Sequence, residues 1–338
     1  MRICLPVVLT KLLLVTSAVS AFATDLNFYP YVSDSPSISL RATHSEQWKL
    51  VYRFQKPIKG LRFAEPEGFV REQTWVIETP GYYFGRDGSY QVVVAAPDAS
   101  LSSQLAIAVP IDTRAGMWSI EPFNIFTDTS VALYTRHFYV MLFDPDNGDY
   151  AQETLVANLE IIPKADQHVI IRGDKSYGPM SWRDPSTEGT YAYTGTLELE
   201  QLENVAMIMD PGLPKWVTSI ARLSIPALID IYAERMGRPL DTQPLVLFSY
   251  EPGDALGYHY NGRVVGDLLQ LRVQGAAWEQ ESVQMREQLT QFIADEVVKL
   301  WGDHMTASRS GGKRRVLDVQ DVFWRVPSDA EPSQGVRF

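Results

Sequence analysis

The residues whose types and spacing come nearest to chemistry lie in the stretch Gln291-Phe292-Ile293-Ala294-Asp295-Glu296-Val297-Val298-Lys299-Leu300-Trp301. Its frame is that of a zinc-binding helix, H-E-x-x-H, followed by an apolar and an aromatic residue. In that pattern two imidazoles four residues apart project from one helix face and hold the metal, and the glutamate activates the metal-bound water. Here Asp295 and Lys299 occupy the two histidine positions, and only Glu296 is kept. An ammonium has no lone pair to give and repels a dication. The sequence therefore predicts no bound metal and no cofactor. It leaves Glu296 as the remnant of a catalytic set, with Asp295 and Lys299 as degenerate ligand positions.

Read as a plain helix, the segment puts Met285, Leu289, Ile293, Val297 and Leu300 on one apolar stripe. Asp295 and Lys299 fall on or beyond its edge, spaced i,i+4 with the acid first, the better order for an ion pair. Glu296 falls inside the apolar arc, where an unpaired charge is expensive. A Glu296–Lys299 contact is expected, with Asp295 as a competing, more exposed partner.

Other candidate chemistry is thin. The 5 histidines (His44, His137, His168, His259 and His304) form no pair at ligand spacing and read as surface or satisfied core residues. Gly257 to Gly266 is glycine-bearing but precedes a strand, so it does not read as a phosphate cradle. The Gly312-Lys313 pair lacks the rest of a P-loop, and no G-x-S-x-G elbow occurs. Tyr258 and Tyr260 read as core packing or loop anchors, with a cleft lining as the alternative. The single cysteine, Cys4, removes disulfides, thiolate metal sites and a cysteine nucleophile from any mature chain. A formal charge of −11 repels phosphate backbones and argues against a nucleic-acid partner.

The elements that must position Glu296 come in two kinds. Residues 1–23 read as a secretory signal: Arg2, an apolar stretch through Leu12-Leu13-Leu14-Val15, and Ala21-Phe22-Ala23 as the cleavage site. Lys11 interrupts the apolar run, which argues against a membrane anchor. No later segment is apolar enough to span a bilayer. Export without disulfides suggests a periplasmic or secreted protein. Residues 24–208 alternate in short β-branched and aromatic runs, such as Trp48 to Phe54, and predict a β-rich, sandwich-like domain. After the breaker Asp210-Pro211-Gly212-Leu213-Pro214, residues 209–303 predict an α+β unit. It comprises a helix from about Ile225 with Pro226 in its first turn and Gly237 at its stop, a buried strand at Leu245 to Ser249, a loop at Gly253 to Gly266, an edge strand at Leu268 to Gln274, and a helix from Glu281 to Trp301. Residues 304–338 read as a weakly structured tail.

The stretch from Asp210 to Trp301 resembles the start of the catalytic domain of gluzincin aminopeptidases, the glycyl aminopeptidase branch above all. The resemblance is carried by Asp210-Pro211-Gly212-Leu213-Pro214-Lys215-Trp216, Tyr232-Ala233-Glu234-Arg235-Met236-Gly237, the strand at Leu245 to Ser249, the Gly266 to Gly275 strand and the Ala294 to Trp301 helix. It implies a thermolysin-like α+β unit in which the edge strand before the zinc helix binds substrate backbone. Here that role maps to Leu268, Leu269, Gln270, Leu271, Arg272, Val273 and Gln274. It also implies a third-ligand glutamate in a W-x-x-E-G-like motif and a later catalytic tyrosine. No such motif follows Trp301, and a frameshift or premature end would account for the changed composition there.

The sequence thus predicts an α+β protein: a β-rich, sandwich-like N-terminal domain, then a truncated peptidase-like unit. Its expected function is that of an exported, catalytically inactive metallopeptidase-like protein binding a peptide or protein. One alternative is an active zinc metallo-aminopeptidase with an atypical site. The other is a β-sandwich structural or adhesion module.

Overall fold

Which strands are covered on two faces decides how the sheets stack. The computed structural model describes residues 36–43, 47–64, 71–111, 123–146, 149–150, 157–184, 188–253 and 257–302. The expected signal at 1–23, His44, His304 and the tail at 304–338 lie outside the described residues.

Up to Gly195 the described residues build three sheets. The first is six-stranded, in the order Met180–Asp184, Ala157–Ile162, Ser37–Ala42, Gln47–Ile58, Ser102–Pro110, Val76–Ile77. Ser37–Ala42 runs parallel to Ala157–Ile162, and the other neighbours are antiparallel. The second sheet is built around Gly60–Phe63 and Tyr90–Ala95. The third takes the order Asp174–Ser176, His168–Ile171, Tyr191–Gly195, Val131–Tyr134, Phe123–Ile125. The expected sandwich is thus a three-sheet assembly with one parallel pair.

The third sheet is a middle layer. Leu133, Val169 and Ile171 on one face join the core that holds Leu50, Leu61 and Val93. Ala132, Tyr134, Ile170 and Tyr193 on the other face pack against Ala206, Ile208, Leu247 and Leu268 of the next sheet. Strands buried on both sides read as continuous apolar runs without alternation, as His168-Val169-Ile170-Ile171 does.

The elements from Glu200 onward are, in chain order, β1 (Glu200–Gln201), β2 (Ala206–Met209), α1 (Lys215–Met236), β3 (Leu245–Glu251), β4 (His259–Val265), β5 (Leu268–Gln274), α2 (Val283–Val297) and a closing 3₁₀ turn, Val298–Trp301. The sheet order is β1-β2-β3-β5-β4. β2, β3 and β5 are parallel neighbours, and β4 is antiparallel to β5. One face lies on the third sheet. The other is covered by both helices, through a core that includes Val217, Leu228, Val246, Leu269, Leu289, Ile293 and Val297. The α+β class holds. Among the described residues no helix is long and apolar enough to cross a membrane.

Two boundaries differ from expectation. α1 starts at Lys215, 22 residues long, so Pro226 lies inside it and not in its first turn. An interior proline leaves the carbonyl of Arg222 without its helical donor and costs about 3 kcal/mol in an exposed helix. Burial of Trp216, Val217, Ala221 and Ser224 ahead of it offsets that cost, and Asn204 Nδ2 donates to the Pro226 carbonyl at 3.0 Å. Gly237 ends the helix as expected, at φ 70°, the left-handed region that favours glycine.

The second difference concerns which strand lies at the edge. Leu268–Gln274 is not the edge strand. It is β5, flanked by β3 and β4, with Leu268, Leu269, Gln270, Leu271 and Val273 buried. Among the described residues the edge beside it is β4, a segment that reads as loop in the sequence. Its polar residues Asn261, Gly262 and Arg263 hid the alternation, whereas the run Leu268-Leu269-Gln270-Leu271 is what a doubly covered strand requires.

Candidate functional site

α2 begins at Ser282, whose Oγ accepts the Met285 N–H at 3.2 Å, an N-cap that satisfies one otherwise unpaired donor. Met285, Leu289, Ile293 and Val297 then lock one face into the core. After Val297 the backbone tightens into the 3₁₀ turn. In a 3₁₀ turn side chains three apart eclipse one another, so Lys299 comes to lie over Glu296 and not over Asp295. Lys299 Nζ donates to Glu296 Oε1. Asp295 is exposed and accepts from Gln291 Nε2 at 2.8 Å. The expected Glu296–Lys299 contact forms, and the i,i+4 pair between Asp295 and Lys299 does not.

Glu296 has 10% of its side chain exposed, against 52% for Lys299. It lies on the backbone of β4. A Cβ built on Gly262 would stand 2.4 Å from Glu296 Cγ and 2.6 Å from Oε2. Glycine at 262 is therefore what lets the acid of α2 rest on the edge strand. Oε2 is buried there without a hydrogen bond. Sequence reading missed Gly262, although an isolated glycine between Asn261 and Arg263 in a strand is a sign of close backbone approach.

An aromatic cluster fixes β4 beside α2. Trp278 Nε1 donates to the His259 carbonyl at 3.1 Å, and Trp278 stacks on Trp216 at 5.9 Å. Gln288 Nε2 donates to Tyr258 Oη at 2.7 Å, so Tyr258 is an anchor. Tyr260 packs on Phe292 at 4.7 Å yet stays 47% exposed at the open edge. At the Val264 end of β4 lies a pocket of about 470 Å³, lined by Arg238, Asp241, Val264, Asp267, Lys299 and Trp301 among others. Asp210, read only as part of a breaker, is a buried junction. Its carboxylate accepts the N–H groups of Thr127 at 3.0 Å, Gly212 at 2.9 Å and Tyr250 at 3.0 Å, and the hydroxyl of Thr127. It ties the turn before α1 to β3 and to the β-rich half.

These donors do not fit zinc. Lys299 brings a proton-bearing nitrogen, Glu296 is engaged by it, and Asp295 is turned to solvent. Among the described residues no group of three or more His, Cys, Asp or Glu is placed to hold a metal ion. His137 and His168 are buried in the β-rich half, where the His137 carbonyl accepts from Arg71 and a His168 ring nitrogen meets the Leu197 carbonyl at 3.1 Å.

No protein-family model matches the chain, and no curated protein matches it. Among solved structures it is similar to native yeast LTA4 hydrolase, at 10% identity and a TM-score of 0.40, over 80% of this chain and 44% of that one. It is similar to an M1 zinc metallopeptidase from Deinococcus radiodurans at 12% identity and a TM-score of 0.34, over 81% of this chain and 71% of that one. The chain thus spans less than half the length of the yeast hydrolase. Both likenesses concern the fold, and neither assigns a residue of this chain a role.

Proposed function

We propose that this chain binds an extended peptide along the open side of β4 and does not cleave it. The observation that carries the reading is the edge itself. Among the described residues β4 has one strand neighbour, β5, and its far side presents backbone N–H and C=O groups to which a further strand can add. In the family that the sequence resembles, the strand before the zinc helix holds substrate backbone. There that strand is an edge strand, and among the described residues of this chain the edge beside α2 is β4, His259–Val265, which supports β4 over the buried Leu268–Gln274 as the peptide-binding strand. Beside it stands an ion pair, Glu296–Lys299, where metal chemistry would need two imidazoles.

Metal analysis of the dialysed protein, paired with peptide titration, tests the proposal. Expected are no stoichiometric zinc, saturable binding and an intact peptide afterwards. About one tightly held zinc per chain, with peptide turnover, returns the reading to an active metallopeptidase. Asp295→His with Lys299→His is expected not to restore activity. We further propose export, on the strength of Arg2, the apolar stretch and Ala21-Phe22-Ala23. An N-terminus just after Ala23 is expected by mass spectrometry of the protein from expressing cells, and an intact Met1 on the soluble protein refutes it.

A further inference from the structure

We infer that the peptide is held by its C-terminus: its final carboxylate binds Arg238 and Lys299 in the pocket at the Val264 end of β4. This rests on the peptide-binding reading and names the ligand's chemistry.

Two cations face the pocket with capacity left. Among the described residues the Arg238 guanidinium, half-buried on the loop after α1, has no hydrogen-bond or ion-pair partner. A guanidinium cannot neutralise itself by losing a proton and presents a fork of donors matched to a carboxylate. Among the described residues Lys299 has one polar partner, Glu296 Oε1, for three ammonium donors, and it stays half exposed. Of the acids in the lining, Asp267 accepts from Thr242 Oγ1 at 3.2 Å through Oδ2, and its Oδ1, which makes no hydrogen bond, is ion-paired with Arg172 at 3.8 Å. Asp241 remains as the opposing charge, on the exposed rim. Leu240, Val264, Leu300 and Trp301 supply apolar wall for one terminal side chain, and a volume of about 470 Å³ admits it.

The strand fixes the direction. β4 runs from His259 to Val265, and Val264 itself lines the pocket. A peptide whose last residue reaches that end must run parallel to β4. The antiparallel alternative would bring its ammonium terminus to Arg238 and Lys299, which repel it. Backbone pairing along β4 supplies affinity, and capture of the terminal carboxylate supplies register, a division used by other strand-adding binders.

The test uses the full chain and an acetylated, fluorescein-labelled hexapeptide, Thr-Val-Thr-Val-Thr-Leu, as free acid and as C-terminal amide, read by fluorescence anisotropy. Expected is a Kd about tenfold or more weaker for the amide, as for loss of a charge-assisted contact. Arg238→Gln is expected to reduce the acid preference several-fold, with Lys299 retaining the remainder, and to leave the amide unchanged. Equal binding of acid and amide by the wild type overturns the inference and leaves peptide binding along β4 standing. An acid preference undiminished in R238Q also overturns it, because the carboxylate then sits elsewhere. Absence of binding by both peptides overturns the inference together with the function on which it rests.

Discussion

Lys299→Met removes the one hydrogen-bond donor that reaches Glu296 among the described residues and keeps most of the stem that packs beside it. In the wild type Glu296 Oε1 accepts from Lys299 and Oε2 has no partner. In the variant neither carboxylate oxygen has one, on a side chain with only 10% exposure. Breaking a fully buried ion pair costs about 3–5 kcal/mol. Lys299 keeps half its side chain in solvent, so screening reduces its share, and the expected loss is about 1–2 kcal/mol. Glu296→Gln removes the charge and leaves an amide whose carbonyl can still accept from Lys299, so its cost is expected to be smaller. Because the partners touch, the double variant is expected to cost less than the sum of the singles by about 0.5 kcal/mol or more. Urea denaturation reads all four proteins, with equal m-values required before midpoints are compared. Additive costs refute the reasoning. They would mean that the carboxylate is held by something else, and a catalytic role for Glu296 would regain support.

Gly262→Ala places a methyl 2.4 Å from Glu296 Cγ, with an expected loss of about 1–3 kcal/mol; the loss should shrink in the Glu296→Ala background, and an equal loss in both backgrounds contradicts the packing described. Asp210→Ala strands the N–H groups of Thr127 and Tyr250, while Gly212 keeps Thr127 Oγ1 as its acceptor, and is expected to cost about 2 kcal/mol or more, so an unchanged urea midpoint contradicts the junction role. Burial holds the His168 imidazole below its ordinary value, with the Lys175 ammonium adding to this and Glu198 and the Leu197 carbonyl opposing it. The unfolded chain then takes up the proton first, so this contribution to stability is complete above about pH 6.5 and is lost as pH falls through that value. His168→Gln should flatten the loss of stability between about pH 7 and 5.5 relative to the wild type, and parallel pH profiles of the two proteins contradict the assignment.

The helix that carries Glu296 is legible in the sequence because its apolar stripe keeps one period over four turns, and that stripe places Glu296 inward. The partner of Lys299 was half legible. The contact to Glu296 follows from spacing, but its victory over Asp295 depends on the switch to a 3₁₀ turn after Val297, which no residue there announces. The edge strand was misplaced by one element, because β4 has a polar face and a glycine where alternation was sought, while the interior β5 was taken for the rim. A six-strand sheet with one parallel pair could not be read from local patterns, since the pairing of Ser37–Ala42 with Ala157–Ile162 joins residues more than a hundred positions apart. Asp210 reads locally as a turn residue, and its buried role depends on Thr127 from the other half of the chain.

Backbone amide exchange along His259–Val265 tests peptide binding without metal most directly, measured with and without the free-acid hexapeptide in excess chelator. The account predicts that amides on the open side of β4 become protected by the peptide although no metal is available. Exchange along β4 that is unchanged by the peptide, or protected only once zinc is restored, contradicts it.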